Sequence, residues 1–269
     1  MPQSFALGPS NEELLLLTNL LLDAAYGFDG LKKQRSAGPG QLEEMVRISG
    51  TLHRTSLLCG QLLSKAALSD APTTLDGREA VALLCQLTEA TTTAAARAAD
   101  TISALAHDDT ASAGGLLEQT RAPLSRAPSA VEQIRAALLR HDGLLYAQIR
   151  AAREGLSPGG KTVTISDAQR KGLASLARGD GVFRERYGIR EVVSPLSAHV
   201  LPTTVDALVT KQLITVTPLP EHQDRFGLRL TTTGVQALLA ASTRRVRSVT
   251  ATTPAPARTN SAGPAVARR

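Results

Sequence analysis

Few residues in this chain combine types and spacings that could do chemistry. Gly155 to Thr162 (GLSPGGKT) satisfies GxxxxGK[ST], the pattern in which backbone amides and a lysine hold nucleotide phosphates. That chemistry needs a strand leading in and a helix leading out, because the helix N-terminus faces the phosphates. Here helical periodicity precedes the string and β-branched residues follow it. No apolar run ending in Asp lies downstream to hold magnesium, so Gly and Pro read as an interdomain linker. His107-Asp108 and His141-Asp142 are HD pairs, which ligate metals in phosphohydrolases, but both fall near expected helix ends or a glycine. None of the 5 histidines has HxxxH or HExxH spacing, and neither GxSxG nor GxGxxG occurs. The residues predict no enzyme, no cofactor and no metal site.

Two cysteines, Cys59 and Cys85, fit a reducing compartment without a disulfide framework. An antiparallel hairpin turning near Pro72 would put both thiols at one height, so a redox pair and two small buried hydrophobes are both open readings. The N-terminus lacks the pattern of a signal peptide, and Leu14 to Ala25, broken by Asn19 and Asp23, is short for a bilayer span. A cytoplasmic protein without a membrane partner is expected.

The elements that would position a site are mostly helical. Apolar residues make up 42% with no Trp and 3% aromatics, so the core must be aliphatic and the chain leans helical. Ser10 with Glu13, Asp76 with Glu79, Ser129 with Glu132 and Ser166 with Gln169 all have capping-box spacing and predict helix starts. The first helix is expected to kink or end near Gly27 and Gly30. Met45, Ile48, Leu52, Cys59, Leu62 and Ala66 form one face of a second helix over 41–68. A third runs to about His107, with a short helix before Pro123. In a fourth, to about Arg153, the core candidates are Val131, Ile134, Leu138, Leu145 and Ile149. This pattern predicts a mainly α chain whose residues 10–154 form a four-helix up-and-down bundle after a disordered 1–9.

Residues 155–164 read as the linker, with a short strand at 162–165, and 165–241 as a second domain. Its helix runs to about Arg178, and strands are expected at 182–187, 189–193, 213–217 and 226–230, with helices at 203–211 and from Thr232. The remainder, 242–269, is rich in Thr, Ala, Pro and Arg and reads as a disordered tail. Charge is uneven along the chain: 241–269 carries Arg and no acid, whereas the first 160 residues are net acidic.

Helix, strand, wing, strand, helix is the order of a winged helix. ALVTKQLI at 207–214, Asp224-Arg225 and LTTTGVQALL at 230–239 resemble the MarR-type transcription regulators. The resemblance covers about 75 residues and implies a winged-helix (α+β) domain that binds double-stranded DNA. It would place Thr203, Thr204, Ala207, Thr210 and Lys211 towards the major groove, and Arg225 in a wing at the minor groove or a phosphate. The residues add two points of their own. The expected recognition helix carries Asp206 and no Arg, Asn or Gln, the side chains that best read base edges. The better cations are Arg184, Arg186 and Arg190 on the preceding hairpin, with Arg184 and Arg186 on one face, and Arg244, Arg245 and Arg247 after the module. The expectation is a DNA-binding or DNA-associated regulator whose bundle self-associates into a homo-oligomer. The alternative is a scaffold protein with a degenerate winged helix that does not read DNA.

Overall fold

A computed structural model describes residues 8–33, 39–156, 163–179, 181–193, 200–220 and 222–250. The chain is mainly helical, with a small antiparallel sheet in its C-terminal part. The order is α1 (Asn11–Lys33), α2 (Pro39–Leu68), α3 (Leu75–Ala106), α4 (Thr110–Arg121), α5 (Ala127–Glu154) and α6 (Asp167–Leu176). Then come β1 (Gly181–Arg186), β2 (Ile189–Val193), α7 (Pro202–Thr210), β3 (Ile214–Leu219), β4 (His222–Leu230) and α8 (Thr232–Thr250). The four strands lie in the order β2-β1-β4-β3. Helix α8 continues to Thr250, past the boundary at 242 where a disordered tail was expected. The rest of that tail, residues 1–7 and most of the GLSPGGKT string fall outside the described residues.

Helix α1 begins on the expected capping box. The Ser10 amide donates to Glu13 Oε2 at 2.9 Å, and the Glu13 amide to Ser10 Oγ at 3.2 Å. Leu14, Leu17, Leu21, Ala24, Phe28 and Leu31 then recur on its buried face. Gly27 and Gly30 do not break the helix. A Cβ at Gly27 would lie 2.7 Å from Ile48 Cγ1, so this glycine marks a close crossing with α2. Over Asn11–Lys32 α1 is long and apolar enough to cross a bilayer by length and composition, more than the stretch from Leu14 to Ala25 suggested. Helix α2 buries the face its periodicity predicts, from Met45 to Ala66. Helix α1 packs on α2 and α5, and α3 on α2, α4 and α5. Cys59 is buried in this core and burial pushes its thiol up to about 11, whereas Cys85 is exposed. Both are free thiols, and only Cys59 is the buried hydrophobe expected.

Two helix starts differ from their capping-box spacing. Thr74, not Asp76, caps α3: its hydroxyl oxygen accepts from the Gly77 amide at 3.0 Å. Helix α5 starts at Ala127, with Pro128 in its first turn, so Ser129 is already inside and its hydroxyl donates to the Arg126 carbonyl at 2.8 Å. Glu132 instead pairs with Arg135 at 2.8 Å.

Helix α5 belongs to two cores. Val131, Ile134 and Ala137 join the first, with α1 to α3. Leu139, Leu144, Ala147 and Ala151 join the second, with Leu173, Leu176, Val205, Leu208, Leu213, Leu228 and Leu238. Leu145 is half-buried and Ile149 is 52% exposed, contrary to expectation. Beyond Leu139 the partners are α6 and α8, and they select a neighbouring stripe of the helix. A Cβ at Gly143 would lie 1.8 Å from the Ala174 carbonyl oxygen, so α5 and α6 touch backbone to backbone there. Gly155 ends α5 in the left-handed region (φ 63°), as a C-terminal cap. Residues 163–165 are not a strand; Val163 and Ile165 pack against the second core. Helix α6 opens on the expected capping box, with the Gln169 amide donating to Ser166 Oγ at 3.2 Å.

A buried charge cluster joins the two parts. Asp76 at the start of α3 is 1% exposed. It accepts from Arg140 Nε at 2.7 Å and from Arg170 Nη1 at 2.5 Å and Nη2 at 3.2 Å. Glu79 and Asp167 pair with the same two arginines nearer the surface. Burial alone would push the Asp76 carboxyl up, but the hydrogen bonds from Arg170 and Arg140 outweigh it and hold the group below the ordinary carboxylate range. A carboxylate depressed in the folded state stabilises the fold fully above its unfolded pKa of about 4, and that contribution disappears as pH falls through the lower folded value. Asp76→Asn leaves two buried cations short of their partner and is expected to cost roughly 3–5 kcal/mol. Denaturant titrations at neutral and acid pH check both points: the gap between Asp76→Asn and the parent should narrow on acidification.

Candidate nucleic-acid interface

The C-terminal part is set by turn and cap chemistry. Strands β1 and β2 form a hairpin closed by Tyr187 (φ 52°) and Gly188 (φ 74°), a two-residue turn with both positions left-handed. Phe183 is buried and meets Phe226 across the β1–β4 pairing, with ring centroids 6.4 Å apart. Alternation therefore turns Val182, Arg184 and Arg186 of β1, and Arg225 and Arg229 of β4, to the other face of the sheet. Helix α7 has Pro202 in its first turn and buries Val205 and Leu208, while Val209 is 40% exposed. Thr231 caps α8. Its oxygen accepts from the Gly234 amide at 3.0 Å, and its hydroxyl donates to the Gln212 carbonyl at 2.8 Å.

The residues expected at a DNA surface do not come together as one site. On α7, Thr203 is exposed, whereas Thr204 is half-buried and turned towards α6, where a Cβ at Gly172 would lie 3.1 Å from its Cγ2. The Thr210 hydroxyl donates back to the Asp206 carbonyl at 2.8 Å. Lys211 is tied down: its Nζ donates to the Thr164 carbonyl at 2.9 Å and to Gln169 Oε1 at 3.0 Å. Arg190 is held by Asp206 of α7 through two hydrogen bonds of 2.8 and 3.0 Å, and its guanidinium lies 4.9 Å from the Phe183 ring. Asp224-Arg225, expected in a wing, lies within β4, where Arg225 stands opposite Arg184. The alternation of Asp224, Phe226, Leu228 and Leu230 carries the strand back beyond the 226 start that its apolar residues suggested.

The cations of the sheet divide by their partners. Arg184 sits between Glu191 (3.3 Å) and Asp224 (3.6 Å), and its buried Nε has no hydrogen bond among the described residues. Among the described residues Arg186, Arg225 and Arg229 have no carboxylate partner, and Arg186 stacks on the Tyr187 ring at 5.1 Å. Arg229 was not singled out in the sequence, although its alternation with Leu228 and Leu230 was signal enough to place it outward. Arg244, Arg245 and Arg247 lie on the α8 backbone, and their side chains are outside the described set.

The histidine pairs have structural surroundings. His141 is 3% exposed between Thr74 Oγ1 (2.8 Å from Nδ1) and Asp70 Oδ1 (3.1 Å from Nε2). His107 Nδ1 lies 2.7 Å from the Ser103 carbonyl oxygen at the end of α3. Among the described residues no three His, Cys, Asp or Glu are grouped to hold a metal ion. No family model matches the chain, and neither a curated protein nor a solved structure is similar to it.

One glycine controls the geometry under the sheet. A Cβ at Gly234 would lie 2.0 Å from the Leu213 carbonyl oxygen, a backbone atom that is itself hydrogen-bonded to Thr231. Gly234→Ala must push α8 away from the β3 start, and a loss of about 1–3 kcal/mol or more is expected in thermal or denaturant unfolding.

Proposed function

We propose that the chain is a DNA-associated protein. In this reading α1, α2, α3 and α5 form a bundle that mediates self-association, and the C-terminal part is a divergent winged helix that docks on double-stranded DNA. Support for the fold comes from order and pairing: α6, β1, β2, α7, β3 and β4 run in sequence, β1 pairs with β4 and β4 with β3. Strand β2 then occupies the place of one helix of a MarR-type module. The observation that carries the function is the outer sheet face, where Arg186, Arg225 and Arg229 have no carboxylate partner among the described residues. Unpaired guanidinium groups on a flat surface suit phosphate oxygens, which position a protein without specifying sequence. Helix α7 is a poor reader by contrast, since Asp206 is spent on Arg190 and Lys211 on the α6 cap. That same locking favours a second reading, a protein-interaction scaffold in which the module no longer touches DNA.

Binding of the full chain to random-sequence duplex DNA at varied salt separates the two. The DNA reading expects affinity that falls as salt rises, with the logarithmic slope growing by about 0.9 per phosphate contacted. Arg225→Glu with Arg229→Glu should lower affinity and shrink the slope by about one unit per arginine, and a chain ending at Thr250 should still bind. No affinity at low salt sinks the proposal and leaves the scaffold.

A further inference from the structure

We infer that the tip of the β1–β2 hairpin, Tyr187 with Ile189, enters a groove of duplex DNA while Arg186 and the outer sheet face rest on the flanking phosphates. This rests on the DNA reading above and names the element that makes the contact. Tyr187 is 89% exposed and Ile189 68% exposed, so two large apolar side chains stand in water at one tip. Tyr187 sits in the turn itself, and Ile189 opens β2 opposite Arg186. A two-residue turn with both positions left-handed favours Asn, Asp or Gly, and a tyrosine at φ 52° is a costly choice there. The Arg186 guanidinium covers one side of the ring at 5.1 Å, and an 89% exposed ring leaves the rest open for stacking.

The surroundings select a polyanion. Arg186 adjoins the tip, and Arg225 and Arg229 continue the outer face on β4. Glu185, the nearest acid on β1, faces Arg190 across the hairpin at 3.9 Å. The β3–β4 turn is a weaker candidate for the same task, because its sequence there is Leu219-Pro220-Glu221. An apolar wedge between base steps needs no base-edge hydrogen bonds, which suits a module whose α7 offers no Arg, Asn or Gln.

The chain contains no Trp, so Tyr187→Trp gives a single tryptophan, at the tip. Its emission should be quenched and its anisotropy should rise when random-sequence duplex DNA is added, and high salt should reverse both. Tyr187→Asn is the matching loss variant: Asn suits the turn, so its Tm should hold or rise while duplex affinity falls about tenfold. Duplex binding that is unchanged in Tyr187→Asn, with flat Trp emission in Tyr187→Trp, overturns the hairpin inference and leaves the DNA reading standing. Tighter binding of the full chain to a single-stranded oligonucleotide than to the duplex overturns groove entry. Absence of any DNA affinity overturns both.

Discussion

The Asp76 carboxylate is the constraint on which the arrangement of the helices depends. It joins the start of α3 to Arg140 of α5 and Arg170 of α6 where all three groups are nearly sealed from water. A buried ion cluster of this kind is weak evidence for stability, because desolvation offsets much of the attraction. Its effect lies in alignment: sliding or rotating α5 or α6 would strand a charge in a low dielectric. Glycines let the α2–α3 turn close on α3 and let α5 approach α6 beside it. A Cβ at Gly77 would lie 2.0 Å from the Ala71 carbonyl oxygen, and one at Gly143 1.8 Å from that of Ala174. His141, next to Arg140, extends the same seam. Its Nε2 lies 3.1 Å from Asp70 Oδ1 and its Nδ1 2.8 Å from the Thr74 hydroxyl, whose oxygen also takes the Gly77 amide. The turn between α2 and α3 is thus wired to α5 and α6 by consecutive polar groups.

This seam changes the meaning of the string that reads as a linker. Gly155 ends α5, yet the last half of α5 is already part of the second core, with Leu144 and Ala147 against α6 and α8. Arg150 of α5 also donates to the Leu230 carbonyl at 2.9 Å, where β4 gives way to α8. The chain therefore passes from one core to the other inside a helix. A composition shift at 155 marks the end of that helix, and the change of core comes earlier, near Leu139.

Local signals were legible in the sequence where local forces decide. Ser10 with Glu13 and Ser166 with Gln169 cap their helices through reciprocal hydrogen bonds within four residues. Asp76 with Glu79 has the same spacing, but Thr74 reaches the Gly77 amide first and frees Asp76 for the arginines. The buried face of α2 was readable since one set of neighbours covers its length. That of α5 was readable only to about Leu138, since two sets of neighbours share it and Leu145 and Ile149 satisfied the wrong one. Gly27 looked like a break for a similar reason, as residue type records the cost of a helical glycine and not the crossing with Ile48 that repays it.

The candidate interface was legible as composition and not as electrostatics. Counting basic residues treats Arg184, Arg186, Arg190, Lys211 and Arg225 alike. The fold separates them: carboxylates hold Arg184 and Arg190, and the start of α6 holds Lys211. A pair such as Arg190 with Asp206 spans 16 residues and becomes visible only when β2 is laid beside α7. An arginine already satisfied by a carboxylate must give up that partner to take a phosphate, so its net attraction for DNA is smaller than its formal charge. Under the proposed function the contact surface therefore shifts from the helix that resembles a recognition helix to the sheet face, where Arg229 joins Arg186 and Arg225. Such a surface senses the spacing of phosphates and the shape of a groove, and it has little with which to tell one base pair from another.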